Sequence, residues 1–131
     1  MTEALRLAEL ASFGVLDTPS EPAFDAVAQA AAQIACCPTA LVGFLDSDRQ
    51  WFKARYGLEQ TQIAREMGLC EYVLSTDAPL VVPDTRTDAR FANSPLVTGE
   101  PGVRFYAGFP LRTTSGATLG TLCVLDTQAR P

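Results

Sequence analysis

Histidine is absent from the 131 residues of this chain. That one absence removes the usual base of a serine or cysteine triad, the commonest zinc ligand and the common proximal haem ligand. Haem held by Cys or Tyr survives the exclusion. Positive charge is also scarce: 10 Lys and Arg stand against 15 Asp and Glu, a net charge of −5. A surface built for phosphate backbones is therefore not expected, and nucleic acid is not expected as a partner. No apolar run approaches the ~20 residues of a membrane-spanning helix. The N-terminal MTEALRLAEL lacks the basic start and apolar centre of a secretory signal. A cytoplasmic chain with no membrane insertion is the expectation. Cysteines are few, at positions 36, 37, 70 and 123, with no C-x-x-C pair. No metal site is expected from them, and reduced, mostly buried thiols are the plain reading.

What is present is a 47% hydrophobic composition, enough to core one domain of this length. Residues 2–12 place Ala4, Leu7, Ala8 and Ala11 at helical spacing. Ser20 reads as an N-cap, with Glu21 and Pro22 in the first turn of a second helix. That helix carries Phe24, Val27, Ala28, Ala31, Ile34 and Ala35 on one face and stops before Pro38. The period then changes. TALVGFLD, from Thr39 to Asp46, reads as a central strand. Arg49 to Tyr56 alternates, with Gln50, Phe52, Ala54 and Tyr56 on one side and Trp51, Lys53 and Arg55 on the other. Leu80 to Val82 is a brief strand between prolines, and a short helix is expected over Cys70 to Leu74. Val103 to Arg112 puts Phe105, Ala107, Phe109 and Leu111 on one face and Tyr106 and Gly108 on the other. Pro110 marks an edge or a bulge there. Thr118 to Asp126 is apolar on both sides, with Leu119, Cys123 and Leu125 expected together, facing the helices. A single α+β domain over residues 1–131 follows, with hairpin pairing and long-range joining of its two ends.

Several stretches carry a resemblance. They are VLDTP at 15–19, FD at 24–25, DRQWFK at 48–53, LC at 69–70, DTRTDARF at 84–91, RFYAGFPL at 104–111 and LGTLCVLD at 119–126. Through these the chain resembles the GAF domain of bacterial signalling proteins. The resemblance implies a central antiparallel sheet of about six strands with helices on both sides, and N-terminal helices packed on one face. Middle segments would enclose a small-molecule pocket on the other. It also implies a sensory module that passes ligand state to an output domain such as a histidine kinase or diguanylate cyclase. Its partners would be an unidentified small molecule, that linked or separate output domain and a second copy of the chain. No particular cofactor is implied. The subfamily pattern often places His two positions after the cysteine; Tyr72 stands there.

The expected ligand-binding residues are Phe44, Phe52, Cys70, Tyr72, Val73, Asp84, Arg90, Phe91 and Tyr106, under a lid formed by residues 84–102. Each has a plainer reading beside it. Cys70 is either a thiolate favoured by a helix N-terminus or a packing residue. Asp84, Arg86, Asp88 and Arg90 are either a clamp on a polar ligand or turn-capping ion pairs. Tyr106 either offers its hydroxyl to a ligand or satisfies it internally. Three functions stand open: a binding module with no catalytic role, a thiol enzyme resembling free methionine sulfoxide reductase through Cys70, and a dimerisation element with a vestigial pocket.

Overall fold

Pro38 separates the helical part of the chain from the sheet, as the change of period requires. The computed structural model describes residues 2–99 and 102–130; Glu100 and Pro101, in the expected lid, lie outside the described residues. Helix α1 (Glu3–Phe13) starts at Thr2, whose hydroxyl accepts from Leu5 N, and ends at Gly14 in the left-handed conformation. Helix α2 (Pro22–Ala35) has Glu21, in place of Ser20, at its N-cap position with no side-chain capping bond, and Pro22 in its first turn. The strands are β1 (Thr39–Leu45), β2 (Arg49–Tyr56), β3 (Gln62–Ala64), β4 (Leu80–Val82), β5 (Phe105–Arg112) and β6 (Thr118–Asp126). They form one antiparallel sheet in the order β3-β2-β1-β6-β5-β4. The two ends of the chain thus meet at the β1–β6 pair in mid-sheet. Short helices α3 (Glu71–Thr76) and α4 (Pro95–Thr98) lie in the middle segment.

Helix α2 covers one face through Phe24, Ala28, Ala31, Ala32 and Ala35, against Ala40, Val42, Ala54, Ala107 and Val124. Small residues on both sides let helix and sheet approach closely. The other face holds Leu41, Leu45, Phe52, Cys123 and Tyr106, covered by Leu69, Cys70, Val73, Phe91 and Val97 from the middle segment. Pro110 sits where β5 has lost its neighbour, because β4 pairs only as far as Gly108.

Two bulges overturn the expected faces. Val42 pairs with Ala54 and Gly43 with Phe52, so Lys53 is skipped. Phe52 therefore packs on the α3 side and Ala54 on the α2 side. Leu111 pairs with Gly120 and Arg112 with Thr118, so Leu119 is skipped. Leu119 joins Leu10 and Phe44, whereas Cys123 faces away from the N-terminal helices, towards Cys70. The skipped Lys53 buries its ammonium against Thr18 Oγ1 at 2.8 Å, Pro19 O at 2.7 Å and Glu21 Oε2 at 2.6 Å, pinning the turn before α2.

The buried side of α1 also differs from the apolar pattern. Arg6 and Leu10 are its buried residues, while Ala4, Ala8 and Ala11 face solvent. Arg6 donates to Leu45 O at 2.7 Å and Thr118 O at 3.4 Å, and forks onto Glu3 at 2.9 and 3.0 Å. A buried guanidinium satisfying strand carbonyls outweighs a row of alanines. On α2, Val27 and Ile34 are exposed instead of buried, Ile34 by 85%. No helix among the described residues is long and apolar enough to cross a membrane.

Candidate functional site

An open groove of about 890 Å³ lies between the 3-10 turn at Arg65–Met67, the start of α3 and the 88–95 loop. Its volume suits a small metabolite. Tyr72 and Phe91 meet edge to face there, with ring centroids 5.2 Å apart. Arg90 lies over both rings, 5.7 Å from Tyr72 and 5.4 Å from Phe91. Arg90 also donates to Asp88 at 2.7 and 3.0 Å, and Asp88 accepts the Arg90 N–H at 2.9 Å. The same unit precedes it, with Asp84 accepting from the backbone and the guanidinium of Arg86. These are aspartate turns closed by the arginine two residues on. The capping reading therefore describes Asp84, which stands away from the groove, while Arg90 both caps and lines it.

Arg65 forms the opposite wall. It donates to Glu71 of α3 at 2.9 and 3.1 Å, to Glu3 of α1 at 2.6 Å and to Asp46 O in the β1–β2 turn at 3.0 Å. Glu3 in turn holds Arg6. Hydrogen bonds from Arg6, aided by Arg65, lower the Glu3 carboxyl from 4.5 to about 2. One groove residue is thus wired directly to α1.

The other expected lining residues are distributed differently. Phe52, Val73 and Tyr106 are 3%, 0% and 1% exposed, inside the core, so the space directly between sheet and α3 is filled. Phe44 lies on the opposite side, beside a smaller hollow of about 430 Å³ with Phe13, Phe24 and Leu111. Of the expected set, Tyr72, Arg90 and Phe91 come together around the groove. Arg65, Glu66, Asp48 and Asn93 line it too and were not singled out as ligand contacts. Thr85 ties the start of segment 84–104 to its end, donating its hydroxyl to Val103 O at 2.7 Å and its N–H to Arg104 O at 2.8 Å, and the Arg104 N–H reaches Asp126 O of β6 at 2.8 Å.

Cys70 sits behind the groove floor made by Gly68 and Leu69. Its sulfur accepts from Tyr106 Oη at 3.0 Å, Thr121 Oγ1 at 3.1 Å and Gln50 Nε2 at 3.1 Å. Hydrogen bonding from the Cys123 thiol, then from Thr121, Tyr106 and Gln50, brings the Cys70 thiol down to about 7. Cys123 is pushed upward, because its proton is held against Cys70 and its site is dry. The cause is a shell of neutral donors, in place of the helix terminus that the sequence suggested. Gly108 leaves the space across which the Tyr106 ring lies: a Cβ there would stand 2.2 Å from the Tyr106 hydroxyl. No group of three potential metal ligands occurs among the described residues.

The family model of the GAF domain matches residues 19–131. A cyclic di-GMP phosphodiesterase of Pseudomonas aeruginosa is 39% identical over 128 residues, which is 98% of this chain and 22% of that protein. The chain therefore spans about a fifth of that relative's length. The solved GAF domain of an Acinetobacter phosphoenolpyruvate-protein phosphotransferase superposes with a TM-score of 0.68 at 18% identity, covering 100% of this chain and 82% of the other. Type II free methionine-R-sulfoxide reductase from Thermoplasma acidophilum superposes with a TM-score of 0.66 at 14% identity, covering 92% and 79%. At such identities these two solved structures share the fold alone.

Proposed function

We propose, from the premise that this chain belongs to the GAF domain family, that it is a non-catalytic sensor binding a small metabolite in the groove between Arg65 and Arg90. The observation that supports this reading is the groove itself: about 890 Å³, walled by aromatics and charges, with one wall residue bonded to α1. A ligand that prefers one position of Arg65 also prefers one position of Glu3 and α1. Its differential affinity for those positions sets the size of the signal. Both groove arginines already hold carboxylates, whereas Asp48 and Glu66 make no ion pair among the described residues. Amines and amino acids are therefore favoured over phosphate esters, which would have to displace Asp88 or Glu71. Given the relative's name, the output is read as a cyclic di-GMP enzyme joined to or working beside this domain, in a cytoplasmic signalling protein.

Thermal-shift screening against amino acids, amines and cyclic nucleotides tests the binding reading. Stabilisation by one of the first two classes, lost in Tyr72→Ala, is expected. A hit whose effect is unchanged by Tyr72→Ala would place the site elsewhere.

The thiol-enzyme reading gains a second sulfur in Cys123, but both sulfurs are buried, at 3% and 1% exposure. A substrate as large as methionine sulfoxide meets no open sulfur there. Homodimerisation is read onto the outer face of α2, where Ala23, Val27, Ala30 and Ile34 recur at intervals of four, three and four and are exposed. Light scattering should give a dimer for the native chain and a monomer for Ile34→Asp; a native monomer at high concentration contradicts it.

A further inference from the structure

We propose that Cys70 and Cys123 form a redox-active dithiol, which peroxide converts reversibly into a disulfide between the start of α3 and the middle of β6. Ligand sensing in the groove does not use this pair. Cys70 differs from a packing thiol in its surroundings. Three buried side chains from three strands, Gln50 of β2, Tyr106 of β5 and Thr121 of β6, aim their donors at one sulfur, each within 3.1 Å. Cys123 stands two residues beyond Thr121 on the same face of β6 and packs in the same core cluster as Cys70. Such a shell fits a thiolate better than a neutral thiol, which is a weak acceptor. The partner needed to complete a disulfide is thus packed in the same buried cluster.

Access is short. Gly68 lines the groove, and a Cβ on it would stand 2.6 Å from Gln50 Oε1, whose amide donates to Cys70. One backbone layer therefore separates the groove from the shell around the sulfur, and a peroxide molecule needs little more room than water.

The chemistry proceeds in two steps. The Cys70 thiolate attacks one oxygen of hydrogen peroxide; the O–O bond breaks, giving Cys70 sulfenic acid and hydroxide. Cys123 then loses its proton to the departing oxygen and attacks the Cys70 sulfur. The S–O bond breaks, the S–S bond forms, and water leaves. In sum, two thiols lose two electrons and two protons, and one peroxide becomes two waters. The disulfide sulfur is a poor acceptor, so Gln50, Tyr106 and Thr121 lose their common partner. The packing of α3 on β5 and β6 changes with the redox state.

The test is peroxide treatment of the whole folded chain, then non-reducing tryptic mass mapping. Cleavage after Arg65, Arg86 and Arg112 puts Cys70 and Cys123 on different peptides, and Cys36 and Cys37 on a third. The expected result is a peptide pair joined through Cys70 and Cys123, lighter by two hydrogens and separated again by dithiothreitol. A Cys123→Ser chain should leave Cys70 as a dimedone-trappable sulfenic acid. Thr121→Val, which removes one donor, should move the pH profile of Cys70 reactivity upward by roughly half a unit to one unit. Free thiols at both positions while exposed Cys36 is oxidised would overturn the proposal. So would Cys70 advancing to sulfinic acid without joining Cys123.

Discussion

Replacing Gly120 with alanine is expected to cost at least ~4 kcal/mol and to leave little folded protein at ambient temperature. The added Cβ would lie 1.9 Å from the Gly43 carbonyl oxygen and 2.9 Å from both Gly43 C and Phe44 Cα. All three are backbone atoms of β1, so no flexible side chain can yield. The strain falls on the β1–β6 pair, which joins the two ends of the chain in mid-sheet. Gly14→Ala is the control. Its φ is +60°, but open space surrounds it, so only the left-handed backbone is penalised, by about 1 kcal/mol. Urea unfolding followed by circular dichroism separates the two. A Gly120→Ala chain within ~1 kcal/mol of the native chain would mean that β1 and β6 do not approach as described.

Arg6→Met is expected to lower stability by about 2–4 kcal/mol. Methionine keeps much of the stem volume but removes the guanidinium, leaving Leu45 O without that donor inside the protein and Glu3 without its main partner. Acid should expose the same contact in the native chain. The folded Glu3 value, about 2, lies below the ordinary 4.5. Its stabilisation is therefore complete above 4.5 and is lost as pH falls towards 2. Glu3→Gln should flatten that part of the pH–stability curve, because no proton is then taken up at this position. Denaturant midpoints measured across the acid range check both variants. An Arg6→Met midpoint equal to the native one would contradict the docking of α1 through its arginine.

Much of this architecture was legible before any coordinates. Strands β2 and β5 followed from alternation, β1 and β6 from apolar runs, and β4 from its flanking prolines. Strand β3 was not, since Gln62–Ala64 is three residues long and its two apolar residues, Ile63 and Ala64, are adjacent and show no period. The bulges at Lys53 and Leu119 were equally silent. A bulge changes which partner is skipped without changing the local pattern, yet it set Ala54 on the face opposite Phe52 and Leu119 on the face opposite Cys123. On α1 the inward face was hidden because its central residue is an arginine. The groove was half visible: Tyr72, Arg90 and Phe91 were picked out, and Phe52, Val73 and Tyr106 went into the core instead. Their aromatic and apolar character suited either place. The meeting of Cys70 with Cys123 depends on the register of β6 beneath α3, a long-range relation that no local spacing encodes.

Backbone amide NMR of the isotopically labelled chain, titrated with the strongest amino acid or amine from the thermal screen, tests the sensing role most directly. Saturable shifts at Arg65, Tyr72, Arg90 and Phe91, spreading to Glu3 and Arg6, are predicted. Shifts confined to the hollow around Phe13, Phe44 and Leu111, with the groove residues unmoved, would contradict it.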